Sequence, residues 1–100
     1  MKHCYNRPSK KDGNHDEISA LFDALSWSVV DTHSLKNFAD LVVSKNGRTI
    51  VVEIKDGSLP PSKRRLTDGE LAFRGSWQGE YAVIESPDDV LNLDTPLSVR

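Results

Sequence analysis

Residues 40–55 read Asp40-Leu-Val-Val-Ser-Lys-Asn-Gly-Arg-Thr-Ile-Val-Val-Glu-Ile-Lys55. Two runs rich in β-branched residues flank an Asn-Gly pair, a pattern typical of a β-hairpin closed by a two-residue type I′ turn. With the turn at Asn46-Gly47, counting outward along both strands places Asp40 opposite Glu53. Both strands are apolar on both faces, so we expect the hairpin in the middle of a sheet that helices cover.

Two opposed carboxylates in such a hairpin repel each other, because opposed Cβ atoms lie about 5 Å apart. Folding alone gives no reason for this arrangement, whereas a bound divalent cation does. Mg²⁺ and Mn²⁺ prefer oxygen ligands, so the predicted metal ligands are Asp40, Glu53 and the main-chain carbonyl of Ile54. Lys55 projects from the same sheet face as Glu53 and is suited to orient water or offset charge at a phosphate. The alternative is a surface ion pair, the usual meaning of Glu-x-Lys on a strand.

The composition indicates one domain without disulfides. The chain has 100 residues and a net charge of −2, and its single cysteine, Cys4, excludes an internal disulfide and leaves too few thiolates for a metal cluster. No segment resembles a signal peptide or reaches membrane-spanning length, so we expect a cytoplasmic protein with no membrane partner.

The remaining chain predicts an αβββαβα order, an α/β domain in which helices flank a mixed central sheet. A first helix is expected from Asn14 or Asp16 to about Ser26, and an edge strand over 27–32. Thr67-Asp-Gly-Glu70 is a capping box for a helix ending near Trp77. A strand over 80–85 and a short helix after Ser86 follow. We assign residues 1–13 to a basic arm, 14–93 to the domain and 94–100 to a tail.

Several charged residues lie outside the hairpin. Glu17 lies at the edge of the first helix's apolar stripe, where it either reaches the ion through water or only complements the helix dipole. Two basic clusters, Lys10-Lys11 and Lys63-Arg64-Arg65, are candidate phosphate contacts, with ordinary solvated charges as the alternative. The three histidines match no metal-ligand spacing.

Asp40, Glu53 and Lys55 together look like the PD-(D/E)xK nuclease motif. Over residues 12–93 the chain resembles small phage-type members of the virus-type replication-repair nuclease (VRR-NUC) family. The segments that carry the resemblance are Asp12-Gly-Asn-His-Asp-Glu-Ile18, Ala39-Asp40-Leu-Val-Val43, Gly47-Arg-Thr-Ile-Val-Val-Glu-Ile-Lys-Asp-Gly57, Pro60-Pro-Ser-Lys-Arg-Arg-Leu-Thr67 and Trp77-Gln-Gly79.

This resemblance implies a restriction-endonuclease-like fold in which Asp40 and Glu53 bind Mg²⁺ or Mn²⁺. It also implies that Lys55 is catalytic and that Glu17 is an active-site acid carried by the helix. The chain departs from the family at Ala39, where a proline is usual, and at Glu70, where glutamine is frequent. We interpret Glu70 as part of the capping box rather than as a residue that faces DNA.

The activity that the resemblance implies is structure-selective cleavage of branched DNA, such as four-way (Holliday) junctions, by a homodimer. If the chain is phage-encoded, the expected location is the cytoplasm of the host cell. Two alternatives stay open. One is a non-catalytic DNA-binding or interaction module on a nuclease fold, and the other is a nuclease that acts on linear or single-stranded nucleic acid.

Overall fold

The computed structural model describes residues 11–95, which form an α/β domain with a four-stranded mixed sheet flanked by helices. The spatial order of the strands is the same as their order along the chain. The elements are α1 (His15–Ala24), β1 (Ser28–Asp31), β2 (Leu41–Lys45), β3 (Arg48–Ile54), α2 (Asp68–Ser76), β4 (Glu80–Ile84) and α3 (Pro87–Asp94). A short 3₁₀ turn covers Pro61–Lys63.

The hairpin predicted from residues 40–55 is confirmed. β2 and β3 pair antiparallel in the expected register, from Lys45 opposite Arg48 to Leu41 opposite Val52. Asn46 and Gly47 have φ values of 53° and 81°, the left-handed conformation that a type I′ turn needs at both central positions. The hairpin occupies the centre of the sheet because β1 pairs with β2, whereas β4 pairs in parallel with β3.

The main hydrophobic core lies on one face of the sheet, beneath α1 and α3. Alternate residues of β2 and β3 point into it and meet the apolar stripe of α1 and Val90 of α3. Its buried members are Ile18, Phe22, Trp27, Leu41, Val43, Ile50, Val52, Ile54, Ile84 and Val90. Ile18 and Phe22 are the buried members of the apolar stripe of α1.

The opposite face is covered more thinly, by α2. The predicted capping box is present: the Glu70 amide donates to Thr67 Oγ1 (3.1 Å) and the Thr67 amide donates to Glu70 Oε1 (2.8 Å). α2 has no buried residue. The helix contacts the sheet through a cluster of aromatic rings whose centroids lie between 5.3 and 6.3 Å apart, namely Phe38, Phe73, Trp77 and Tyr81.

Two boundaries differ from the sequence expectation. α1 ends at Ala24 and the chain turns at Ser26, whose φ of 73° is incompatible with a continued helix. Asp94, which we assigned to a tail, is the last residue of α3 and accepts hydrogen bonds from Trp27 Nε1 and Lys45 Nζ, each at 2.8 Å. The carboxyl end of α3 is therefore fastened to the core and to the hairpin.

The predicted arm and tail lie largely outside the described residues, which exclude 1–10 and 96–100. Of the arm, residues 11–13 are described, and the Lys11 ammonium pairs with Asp16 at 3.1 Å. No helix between residues 11 and 95 has the length and apolar content needed to cross a membrane.

Candidate active site

Asp40 lies immediately before β2, where the regular ladder between β2 and β3 ends. Its amide donates to the Val52 carbonyl (3.0 Å). The register of the two strands, continued from Leu41 opposite Val52, would instead place Asp40 opposite Glu53, as the sequence predicted. The Asp40 carboxylate turns toward β3, and Oδ2 accepts the Ile54 amide at 2.8 Å. The carboxylate thus replaces a backbone carbonyl as the acceptor of the Ile54 amide. This hydrogen bond holds the side chain against the end of β3 and leaves Oδ1 for another partner.

Glu53 is the most unusual residue of the hairpin, because a carboxyl group with a residue exposure of 5% replaces an apolar side chain in a central strand. Burial raises the pKa of this carboxyl far above its ordinary range, and the neighbouring carboxyls of Asp40 and Glu70 raise it further. Three acids therefore converge on the α2 face of the sheet. Their mutual repulsion is what a cation placed among them would relieve.

Lys55 lies two residues beyond Glu53 and completes the cluster. Its ammonium donates to Glu70 Oε1 at 2.7 Å. Burial alone lowers the pKa of Lys55, but the hydrogen bond to Glu70 and the nearby charges of Glu53 and Asp12 outweigh burial and raise it. Lys55 is therefore held as a charged ammonium beside the acids.

Glu70 has a double function in this arrangement. The oxygen that caps α2, Oε1, is also the one that accepts from Lys55. Burial alone raises the pKa of Glu70, yet the bonds from Lys55 and from the Thr67 amide lower it on balance. The capping box predicted at this position thus also brings a third acid to the site, which the capping pattern alone does not indicate.

A cleft of about 300 Å³ opens onto this cluster. The segment before β2 and the first turns of α2 line it, and Asp40, Glu53 and Glu70 are among the lining residues. Tyr81 lies nearby in β4, and burial together with the charges of Glu53 and Glu70 raises its pKa to about 12. Among the described residues its buried hydroxyl finds no hydrogen-bond partner.

The donor atoms at this cleft suit a hard divalent cation. Asp40 and Glu53 offer carboxylate oxygens, the ligands that Mg²⁺ and Mn²⁺ prefer, and the cluster carries more acidic than basic groups. A cation bound there favours the ionised form of Glu53, because its charge opposes the effects of burial and of the neighbouring acids. The carboxylates therefore fit the predicted metal. The role of the Ile54 carbonyl as a further ligand stays a prediction.

Glu17 lies at a different place from the other predicted site residues. It is exposed on α1 and lines a separate depression together with Asp56, Glu85 and Asp89. Asp12, which precedes α1, is the acid from this part of the chain whose charge interacts with Lys55 and Asp40. Burial raises the pKa of Asp12, while the charge of Lys55 opposes that change and the charge of Asp40 adds to it. Asp12 opens the segment that carries the family resemblance, but helical spacing could not indicate it because it precedes α1.

Asn14 joins the start of α1 to this end of the sheet. Its side-chain amide donates to the carbonyls of Lys55 (3.1 Å) and Glu85 (3.2 Å). It occupies the predicted cap position, but it makes no side-chain cap bond. Its amide instead fixes the ends of β3 and β4 beside each other, and this positions the backbone of Lys55.

The predicted DNA-binding residues differ in their exposure and in whether they are paired within the fold. Lys63 and Arg65 are exposed, as phosphate contacts must be. Arg64 is half-buried and engaged within the fold, since Nε donates to the Leu59 carbonyl (2.8 Å) and Nη1 to Glu85 (3.1 Å). Lys11 is paired with Asp16, and Lys10 lies outside the described residues.

Comparison of the chain with models of protein families, with curated proteins and with solved structures finds no match in any of the three.

Proposed function

We propose that this chain is a Mg²⁺- or Mn²⁺-dependent endonuclease with a PD-(D/E)xK-type site, which cleaves branched DNA as a homodimer. One observation carries the proposal: Asp40, Glu53 and Lys55 converge at the end of the central hairpin, with Glu53 buried among other acids beside an open cleft. Structural ion pairs on a strand are solvated, whereas this carboxyl is buried where its charged form is unfavourable.

Each residue has a distinct part in the proposed reaction. Asp40 and Glu53 hold the cation and bring the scissile phosphate beside it. The cation, when bound, polarises a phosphoryl oxygen and brings a water molecule toward hydroxide. Lys55 orients this water and offsets the negative charge that develops on the phosphate. Because Lys55 is paired with Glu70 at 2.7 Å, we infer that it exchanges this partner for the phosphate when DNA enters the cleft.

Branched DNA is proposed as the substrate because of the family resemblance, and the distribution of charge is compatible with it. Lys63 and Arg65 are exposed on the segment that leads to α2 and can contact phosphates without reading bases. A four-way junction has two-fold symmetry, so a two-fold dimer presents one site to each of two opposed strands.

Lys55→Ala tests the mechanism. We expect metal-dependent cleavage of a labelled four-way junction to fall by roughly 10²–10³-fold, because the positive charge that stabilises the transition state is removed. Junction binding, measured by gel shift in the presence of chelator, should change little. Lys36→Ala is the matched comparison, because it removes a lysine from the same cleft without touching the acids, and it should reduce cleavage far less than Lys55→Ala.

The substrate is tested in parallel with a junction, a linear duplex and single strands, each with Mg²⁺, Mn²⁺ or chelator. Preferential cutting of the junction supports the proposal. Equal cutting of all three substrates contradicts branch selectivity. Binding without cutting under every metal condition indicates the non-catalytic module instead.

A further inference from the structure

A second group of metal-ligating side chains lies where α1 meets the end of β1. His15 is the first residue of α1, Asp31 is the last residue of β1, and His33 follows in the connection to β2. His15 Nε2 lies 3.1 Å from Asp31 Oδ2, and His33 Nδ1 lies 2.9 Å from Asp31 Oδ1. One ligand atom from each residue lies within 4.8 Å of the other two. The sequence spacing did not indicate this group, because the fold brings a helix residue to a strand end.

The three side chains are held in this geometry by the surrounding fold. His15 is only 1% exposed, so its ring is fixed by packing. The His33 ring packs edge-on against it, with centroids 5.2 Å apart, and the His33 amide donates to Asp31 Oδ1 at 3.1 Å. A site whose ligands are already oriented loses little side-chain freedom when an ion binds.

The carboxylate of Asp31 lies between the two imidazoles, with Oδ2 facing His15 and Oδ1 facing His33. The side chains of Asp31 and His33 are 42% and 22% exposed, which gives an ion a path from solvent.

We propose that His15, Asp31 and His33 bind a zinc-class transition-metal ion, with one coordination position open to water. Imidazole nitrogen suits Zn²⁺, Co²⁺ and Ni²⁺ far better than Mg²⁺. In a tetrahedral site with bonds of about 2.0–2.1 Å, ligand atoms lie about 3.3 Å apart. The two imidazoles lie 3.1 and 2.9 Å from different oxygens of Asp31, and one ligand atom from each residue lies within 4.8 Å of the others, so small side-chain shifts would let one ion reach all three residues.

This site is distinct from the carboxylate cluster in ligand type, yet it adjoins the same cleft, which His33 also lines. His15 directly follows Asn14, whose amide holds the backbone of Lys55 and Glu85. An ion at His15 would therefore fasten the start of α1 to β1 and stiffen the anchor of the neighbouring site. The binding itself does not depend on nuclease activity.

Metal titration of the full chain tests the proposal, with Co²⁺ as a spectroscopic probe and Zn²⁺ for calorimetry. His3 and Cys4 are also ligands of the right type, so the double variant His3→Ala/Cys4→Ser serves as the background. Asp40→Asn is added to remove binding at the carboxylate cluster. In this background we expect one equivalent of Co²⁺ to bind with the intense visible absorption of a four-coordinate ion, and Zn²⁺ to displace it.

His33→Ala in the same background should weaken Zn²⁺ binding by more than about tenfold, since a lost ligand costs at least as much as a lost supporting residue. Asp31→Asn should do the same, and Asp23→Asn, an exposed aspartate on α1, should not. His15→Ala is avoided because His15 is buried. Unchanged binding in both His33→Ala and Asp31→Asn overturns the proposal, as does the absence of stoichiometric Co²⁺ or Zn²⁺ binding in the background chain.

Discussion

Glu53 shows how a single residue can be unfavourable for folding and still be useful. A carboxyl near the end of a central strand is desolvated and lies beside two further acids. Such a group resists ionisation until a cation or another positive charge compensates it. Its position is thus easier to explain as a binding site than as part of the core.

Glu53→Gln should stabilise the protein at neutral pH in the presence of chelator, by about 1 kcal/mol or more. The unfolded chain ionises Glu53 near its ordinary pKa of about 4.3, whereas the folded chain retains the proton to much higher pH. The folded state then binds more protons, so the free energy of unfolding falls as pH rises above about 4.3. The neutral glutamine removes this contribution.

Urea denaturation of both proteins between pH 4 and pH 8 measures this difference. The stability gap should widen with rising pH and be small near pH 4. Glu17→Gln is the control, because Glu17 is exposed on α1 and its change should leave the pH dependence intact. A gap that stays constant with pH contradicts the argument.

Among the elements, α2 depends most on its local sequence. With no buried residue, the helix is maintained by its capping box and by aromatic contacts on one side. Because Glu70 caps the helix and binds Lys55 with the same oxygen, the order of α2 and the position of the lysine are connected.

Thr67→Ala should destabilise α2 by about 1 kcal/mol, because it removes the hydroxyl that accepts the Glu70 amide. Native-state hydrogen exchange should then be roughly fivefold faster for α2 amides, which open locally. Exchange of β2 and β3 amides should change far less. Thr67→Ser retains the hydroxyl and should behave like the wild type, while equal acceleration throughout the domain would show that α2 does not open independently.

The elements were largely predictable because their signals are local. The Asn46-Gly47 turn, the β-branched runs of the hairpin and the capping box each act within a few residues, and all three are present in the structure. The shift of Asp40 out of the strand register was not predictable, since it depends on the bond from its carboxylate to the Ile54 amide. The sequence also did not predict Asp12 or the group of His15, Asp31 and His33. The reason is related, since their contacts join elements far apart in sequence.

At the scale of the whole molecule, Asp94 joins three distant parts of the chain. It ends α3, and its carboxylate Oδ1 accepts from Trp27 Nε1 and Lys45 Nζ. These bonds lower the pKa of Asp94, with the bond from Lys45 as the largest cause. The last helix is thereby tied to the connection after α1 and to the end of β2.

Asp94→Ala should lower the urea midpoint of the whole domain, because the Trp27 indole and the Lys45 ammonium lose their shared acceptor. The wild-type contribution is present above the ordinary aspartate pKa and is lost as pH falls through the depressed value of the folded state. The difference between variant and wild type should therefore shrink in acid. Asp23→Ala, at an exposed position, is the control; an equal effect of both changes would show that the bonds of Asp94 are unimportant.

The two tryptophans occupy opposite faces of the sheet, and this makes them natural optical reporters. Trp27 is 4% exposed and packed edge-on against Phe22 in the main core, whereas Trp77 is 38% exposed at the end of α2. An indole in a dry core and one at the solvent boundary differ in emission colour and in access to quenchers. Trp27→Phe and Trp77→Phe variants would thus give separate fluorescence signals for the loosening of α2 and for the melting of the core.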